Sequence, residues 1–239
     1  MCIVKIAGSV VLVTGANRGM GRHYVEQLLE RGAAKVYATA RRPESVDVPG
    51  AEVLALDVTD PESVRAAAEA APDVTFVVNN AGISTGANLI TGDLAVIRRE
   101  LETNFFGPLT VVREFAPVLA ANGGGAVLNM LSAMSWFSVD GANSYSVAKA
   151  AEWSMTNGIR LELIGQGTHV AGVHIGLVDT DMAAGFDLPK SAPADIVRIA
   201  LDGIEAGLIE IVADDWSAHV KASLSADPAL FYPQTVPTA

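Results

Sequence analysis

Cys2 is the only cysteine in the chain, so no internal disulfide can form. That absence fits a reducing compartment, and a cytoplasmic location is the expectation. Basic residues are also scarce. Sixteen Lys and Arg stand against 27 Asp and Glu, a formal net charge of −11. Nucleic acid and anionic membrane surfaces both call for a basic face, so neither is expected as a partner. No apolar run approaches the roughly 20 residues that span a bilayer. The apolar start, MCIVKIAGSVVLVTGA, is brief and runs straight into a glycine loop. It reads as a buried first strand rather than a signal peptide. The four histidines, His23, His169, His174 and His219, show no metal-ligand spacing, so structural or surface roles and no metal are expected.

What is present is hydrophobic and evenly distributed. Half of the 239 residues are apolar and 18% are charged, enough for a sizeable core. No linker interrupts the chain, which reads as one domain over 1–239. Short Val-, Ile- and Leu-rich runs alternate with longer helical patterns. Strands are predicted at Ser9 to Val13, Lys35 to Thr39, Glu52 to Leu56, Val74 to Val78, Ala126 to Leu131, Val170 to Ile175 and Leu208 to Val212. Helices are predicted at Met20 to Glu30, from Asp60-Pro61, from about Asp93 to Leu119, at Asn143 to Ile164 and at Ala194 to Ala206. Strands buried on both faces and alternating with helices imply an α/β fold. The expectation is a Rossmann-type, doubly wound, seven-stranded parallel sheet with helices on both faces. From Ala213 onward, Pro228, Pro233 and Pro237 predict an irregular C-terminal arm over 213–239.

Thr14-Gly15-Ala16-Asn17-Arg18-Gly19-Met20-Gly21 joins the first strand to the first helix. Residues without a Cβ let the backbone turn tightly beneath a pyrophosphate. The helix N-terminus then offers unpaired N–H groups and a favourable dipole. In dinucleotide folds an acidic residue ending the second strand binds the ribose 2′-OH. Here that strand runs into Ala40-Arg41-Arg42, with no carboxylate to repel a 2′-phosphate. Arg41 is suited to pair with one, and Arg18 could reach the same group, so NADP(H) is the expected cofactor.

Tyr145-Ser146-Val147-Ala148-Lys149 sets a phenol and an ammonium four residues apart, on one face if helical. A nearby cation stabilises phenolate, and a phenol so tuned can give its proton to a carbonyl as hydride arrives at carbon. With the glycine loop, this pattern resembles the short-chain dehydrogenase/reductase family over nearly the whole chain. TGANRGMG has the TGxxxGxG spacing of that family's single-domain members. Asn79-Asn80-Ala81-Gly82 matches its NNAG motif, and Asn104 lies in the helix that follows. Ser132 stands thirteen residues before Tyr145, where the family places its active serine. Gly176 and Thr180 match the Gly and Thr of its PGxxxT loop.

The resemblance implies a mechanism and a set of contacts. Tyr145 would be the acid in reduction and the base in oxidation. Lys149 would lower the Tyr145 pKa and bind the nicotinamide ribose, and Ser132 would stabilise charge on the substrate oxygen. Asn104 would hold a water in a proton relay. The cofactor would be bound by Gly15, Asn17, Arg18, Gly19, Met20, Gly21 and Arg41. Asp57 and Val58 would meet adenine, Asn80, Ala81 and Gly82 the adenine-side ribose, and Gly176, Val178 and Thr180 the nicotinamide side. Pro108 adds an argument of its own for Asn104. Proline has no N–H, so in a regular helix the Asn104 carbonyl loses its partner and a buried water becomes the natural donor.

Two departures stand out. Ile175 precedes Gly176 where the family commonly has Pro, and Ser132 lacks an adjacent second serine. Met134, Trp136 and Phe137 follow Ser132 closely and, with Met182, read as lining an apolar substrate pocket. The activity implied is interconversion of a carbonyl and an alcohol, in a homodimer or homotetramer built on the two long helices. Two other readings compete: a non-catalytic nucleotide-binding regulator on the same scaffold, and a sugar-nucleotide epimerase or dehydratase relative. Retention of Ser132, Tyr145 and Lys149 together argues for the enzyme.

Overall fold

A computed structural model describes residues 4–235; Cys2 and Pro237 lie outside them. Seven strands form one parallel sheet in the order β3-β2-β1-β4-β5-β6-β7. They are β1 (Val10–Thr14), β2 (Lys35–Ala40), β3 (Glu52–Ala55), β4 (Phe76–Asn79), β5 (Gly125–Met130), β6 (Thr168–His174) and β7 (Glu210–Val212). The helices between them are α1 (Gly19–Glu30), α2 (Pro61–Ala70), α3 (Leu94–Leu101), α4 (Gly107–Ala121), α5 (Asn143–Leu163) and α6 (Pro193–Glu205).

The central strands are largely apolar because each face meets its own layer of helices. Successive side chains of β1 point to opposite faces. Val11 and Val13 therefore join a core with Tyr24 and Leu28 of α1 and Ile196 and Leu201 of α6. Leu12 joins the opposite core with Val64 of α2, Phe115 of α4 and Ile159 of α5. Each fully buried side chain of this kind contributes about 2 kcal/mol. Asp60 caps α2, its carboxylate accepting from the Glu62 N–H, with Pro61 at the first helical position.

Two expectations are corrected. The stretch from Asp93 to Leu119 is not one regular helix. Between α3 and α4 a π-helical turn spans Glu102–Phe106, and the Gly107 N–H reaches back five residues to the Glu102 carbonyl. The argument from Pro108 to a water at Asn104 assumed regular helix and does not carry over. The C-terminal arm is not irregular either. Among its described residues it forms α7 (Asp215–Ser223) and α8 (Pro228–Phe231). Asp214 and Asp227 cap them, accepting from the Ser217 and Ala229 N–H groups. Among the described residues, no helix is long and apolar enough to cross a membrane.

Candidate active site

Strand order reverses at β1, whose neighbours are β2 and β4, so the loops after these strands diverge and open a crevice at their carboxyl ends. One wall is the glycine loop. Gly15 takes φ +66°, and a Cβ on Gly21 would lie 2.1 Å from the Gly15 carbonyl oxygen. Only glycine at both positions lets the loop close this tightly. The loop is laced to the one after β4. The Thr14 hydroxyl accepts from the Asn80 and Ala81 N–H groups, and the Asn80 amide donates to the Thr14 and Gly15 carbonyls. No side chain caps α1, and its first turn carries no acidic residue. An uncapped helix N-terminus above a glycine cradle fits a pyrophosphate in both shape and charge.

Arg41 and Arg42 are exposed just beyond β2. The Asp57 carboxylate is engaged by the Thr59 N–H and hydroxyl, and Val58 packs behind it. From the opposite side, the loop after β6 comes up to the glycine loop. Thr180 sits beside Gly19, and Asp181 accepts from Arg18 Nη1 at 2.7 Å. Arg18 thus spans the crevice mouth towards Asp181. Gly176 donates its N–H to Asp214 at 2.5 Å, and Val178 bridges to Ser191. Asn17 and Met20 are half-buried in the glycine loop, Met20 against the core.

The reacting groups converge from three elements. Tyr145, half-buried, and Lys149, buried, share a face of α5. The Lys149 ammonium lies 5.8 Å from the Tyr145 ring centre. Ser132, buried, follows β5 and caps a short 3-10 turn, its hydroxyl accepting from the Met134 N–H. Asn104, on the π-turn, is fully buried. Its side chain accepts from the Ile83 N–H and donates to the Ile83 carbonyl, at 2.9 and 2.8 Å. Gly82 brings Asn104 and Lys149 together, since a Cβ there would touch Asn104 Oδ1 at 2.9 Å and approach Lys149 Nζ at 3.9 Å.

The electrostatics differ from the simple expectation that Lys149 makes Tyr145 acidic. Burial raises the phenol pKa, and the charges of Glu152 and Glu100 raise it further. Lys149 and a hydrogen bond from Ser132 pull it down, and the net direction is upward. Burial opposes the Lys149 charge, yet Glu152 and Tyr145 outweigh it and hold the ammonium above the usual lysine value. Glu152 itself is pushed by burial up to about 7, against the pull of Lys149.

The aromatic residues beyond Ser132 turn towards the C-terminal helices. Trp136 stacks on the buried ring of His174 at 3.7 Å, and Phe137 packs edge-on against Trp216 and Phe231. Met134 is half-buried, and Met182 is exposed alongside Phe186 and Leu188. Among the described residues, no group of three or more His, Cys, Asp or Glu is arranged to hold a metal.

Residues 9–190 match the family model described as short chain dehydrogenase. The chain belongs to this family. It is 33% identical over 213 residues to 1-deoxy-11-beta-hydroxypentalenate dehydrogenase of Streptomyces exfoliatus, covering 83% of this chain and 77% of that one. It is 30% identical over 216 residues to a serine 3-dehydrogenase of Rhizobium radiobacter, covering 86% and 83%. A solved short chain dehydrogenase from Burkholderia cenocepacia J2315, in complex with NADP, superposes with a TM-score of 0.93 at 35% identity, covering 98% of this chain and all of that one.

Within this short-chain dehydrogenase, three acidic residues of the site escaped the sequence reading. Glu100 is fully buried and accepts from the Thr85 N–H and the Ser144 hydroxyl, tying the loop after β4 to the start of α5. Asp214 joins the loop after β6 to α7. Glu152 pairs with Lys149. Its signal was present: Tyr145, Lys149, Glu152 and Thr156 recur at i, i+4, i+7 and i+11, a polar stripe along one side of α5.

Proposed function

We propose that this short-chain dehydrogenase acts as a single NADP(H)-binding domain that interconverts a carbonyl compound and its alcohol. The observation that carries the reading is the convergence of Tyr145, Ser132 and Lys149 beside the glycine cradle. When bound, NADP(H) would supply the hydride chemistry at the substrate carbon, and the residues of this chain would handle the proton. In reduction Tyr145 gives its hydroxyl proton to the carbonyl oxygen as the carbon–oxygen double bond becomes single. Ser132 donates to that oxygen and stabilises its developing charge. Lys149 would hold the nicotinamide-side ribose, and its ammonium offsets the charge of the phenolate left after proton transfer. Asn104, anchored on Ile83 beside Lys149, orients the water through which the phenol is reprotonated.

The cofactor contacts follow the same crevice. The backbone of Gly15, Asn17, Arg18, Gly19, Met20 and Gly21 would hold the pyrophosphate. Asp57 and Val58 would hold the adenine, and Asn80, Ala81 and Gly82 its ribose. Gly176, Val178 and Thr180 would hold the nicotinamide side. Arg41 selects the 2′-phosphate, supported by the absence of any carboxylate ending β2 and by the NADP in the Burkholderia relative. Met134 and Met182 line an apolar substrate pocket whose outer wall is Trp136 and Phe137. A second copy of the chain packs along α4 and α5 to form a dimer or tetramer.

The test is a panel of ketones, aldehydes and alcohols assayed with NADPH and with NADH. Turnover favouring NADPH is expected, with Tyr145→Phe slower by about a thousandfold and Arg41→Asp shifting preference towards NADH. Full activity of Tyr145→Phe would remove the acid/base role. NADPH binding with no turnover on any substrate would instead favour the regulator.

A further inference from the structure

We infer that Glu152 is a positioning residue for Tyr145: its buried carboxylate holds the Lys149 ammonium and, by offsetting that positive charge, weakens the pull of Lys149 towards phenolate and so favours carbonyl reduction. The inference rests on the acid/base role proposed for Tyr145.

The geometry begins on α5. Glu152 is 1% exposed and lies one helical turn beyond Lys149, which is itself one turn beyond Tyr145. Its Oε2 accepts from the Lys149 ammonium at 2.7 Å. The Met130 carbonyl accepts a second ammonium proton, also at 2.7 Å. Lys149 is therefore drawn from below on two of its three donors, leaving one for the crevice. The helix turn carrying Glu152 is braced in turn. Thr156 donates to the Glu152 carbonyl and accepts from Asn129 of β5, which accepts from Asn79 of β4. A carboxylate buried this deeply does not drift away to solvent, and it is held against the cation it neutralises.

The consequence for the phenol is electrostatic. A lone ammonium beside Tyr145 stabilises phenolate, whereas an ammonium paired with a buried carboxylate presents little net charge. Other groups face the trio. Glu100 of α3 adds a second negative charge near Tyr145. Tyr24 of α1 donates to the Met130 sulfur, and burial keeps it protonated. His174 of β6 is neutral at working pH, with Glu210 of β7 behind it and Lys221 of α7 paired to Glu210. None of them cancels the effect of Glu152 on Lys149. Reduction needs the phenol and oxidation needs the phenolate, so a carboxylate that opposes ionisation favours the reductive direction until the pH rises.

The test needs no substrate. Tyrosinate absorbs near 295 nm, and the absorbance of unmodified protein minus that of Tyr145→Phe isolates Tyr145 from Tyr24, Tyr37 and Tyr232. The same difference is taken between Glu152→Gln and the double variant Glu152→Gln/Tyr145→Phe. Glutamine keeps an acceptor for Lys149 but not the charge. A Tyr145 midpoint lower by about half a unit or more in Glu152→Gln is the expected result. A smaller shift, or a rise, overturns the inference, even if the melting temperature falls, because that would leave Glu152 a purely structural role. Should Glu152→Gln fail to fold, the unmodified protein labelled with 13C at glutamate Cδ and tyrosine Cζ decides the matter. The Tyr145 Cζ signal is expected to move with the Glu152 carboxyl midpoint between about pH 5 and 9. No matched movement overturns it. A Tyr145→Phe variant that retained turnover would sink the acid/base role instead, and the midpoint measurement distinguishes the two failures.

Discussion

Among single residues, His174 shows how the site wall is kept rigid and at what cost. Its side chain is fully buried, stacked on Trp136, with Nδ1 3.1 Å from the Ser132 carbonyl. Burial pushes its pKa down to about 4. The unfolded chain takes up the proton near pH 6.5, and the folded chain does not until about 4. The His174 contribution is therefore complete above 6.5 and is lost as the pH drops towards 4, on the order of 3 kcal/mol at the lower end, while Glu152, raised to about 7, contributes with the opposite sign. Denaturant unfolding at a series of pH values measures this, and His174→Gln is expected to flatten that slope. An unchanged slope in the variant would show that other groups carry the acid sensitivity. Tyr145 and Lys149 were legible from their four-residue spacing on one helix face, and Ser132 through the family resemblance. Glu152 shares that helix face at i+7, but a lone glutamate in a helix ordinarily reads as solvent-facing, and only packing of α5 against the sheet puts that position inside.

The elements were legible where periodicity rules and illegible where local chemistry does. The inner strands were found because two-sided burial leaves a largely apolar run, and the edge strands β3 and β7 from short Val-, Leu- and Ile-containing runs, although β4 begins two residues later than expected. The π-turn at Glu102–Phe106 has no periodic signature, and only one extra residue in the turn distinguishes it from regular helix. The C-terminal helices were masked by three prolines. Yet Asp227-Pro228 is the same cap signal that located α2 at Asp60-Pro61. The cap at Asp214 matters beyond α7. One carboxylate oxygen accepts from the Ser217 N–H and the other from the Gly176 N–H, so a helix start also restrains the loop after β6. That restraint stands where the family's proline would have stiffened the backbone before Gly176. Asp214→Ala is expected to destabilise the fold by about 1–2 kcal/mol through loss of the cap. It should also weaken NADPH binding several-fold with little change in the rate at saturation, as read from fluorescence titration and steady-state kinetics. Loss of stability with unaltered NADPH affinity would separate α7 from the loop.

At the scale of the whole molecule, two cores lie on either side of one sheet, and among the described residues an apolar face between α4 and α5 is left uncovered. A groove of about 570 Å³ runs between α4 and α5, lined by Phe105, Leu109, Met155 and Ile159 among others. Phe106, Leu161 and Ile164 on and beside these helices are exposed. Apolar surface gathered along two long helices is what an interface between copies requires, whereas singly scattered residues would need no partner. Gly158 sits in this groove within α5, and a Cβ built there meets nothing within 4 Å. A single chain should therefore accept a larger side chain at this position, and replacing a mid-helix glycine removes a penalty of about 1 kcal/mol. A second copy seated in the groove should not accept it. Gly158→Arg is accordingly expected to convert a dimer or tetramer to monomer in light scattering while the monomer's secondary structure and unfolding midpoint are maintained or improved. If the unmodified protein is already monomeric at micromolar concentration, or the variant stays assembled, the interface lies elsewhere. The variant also separates assembly from chemistry, because Gly158 lies nine residues, about two and a half turns, past Lys149 on the same helix. Turnover that survives in the monomer would mean that each chain carries a complete site, and turnover lost with assembly would mean that the pairing of α4 and α5 holds Tyr145 and Lys149 in register.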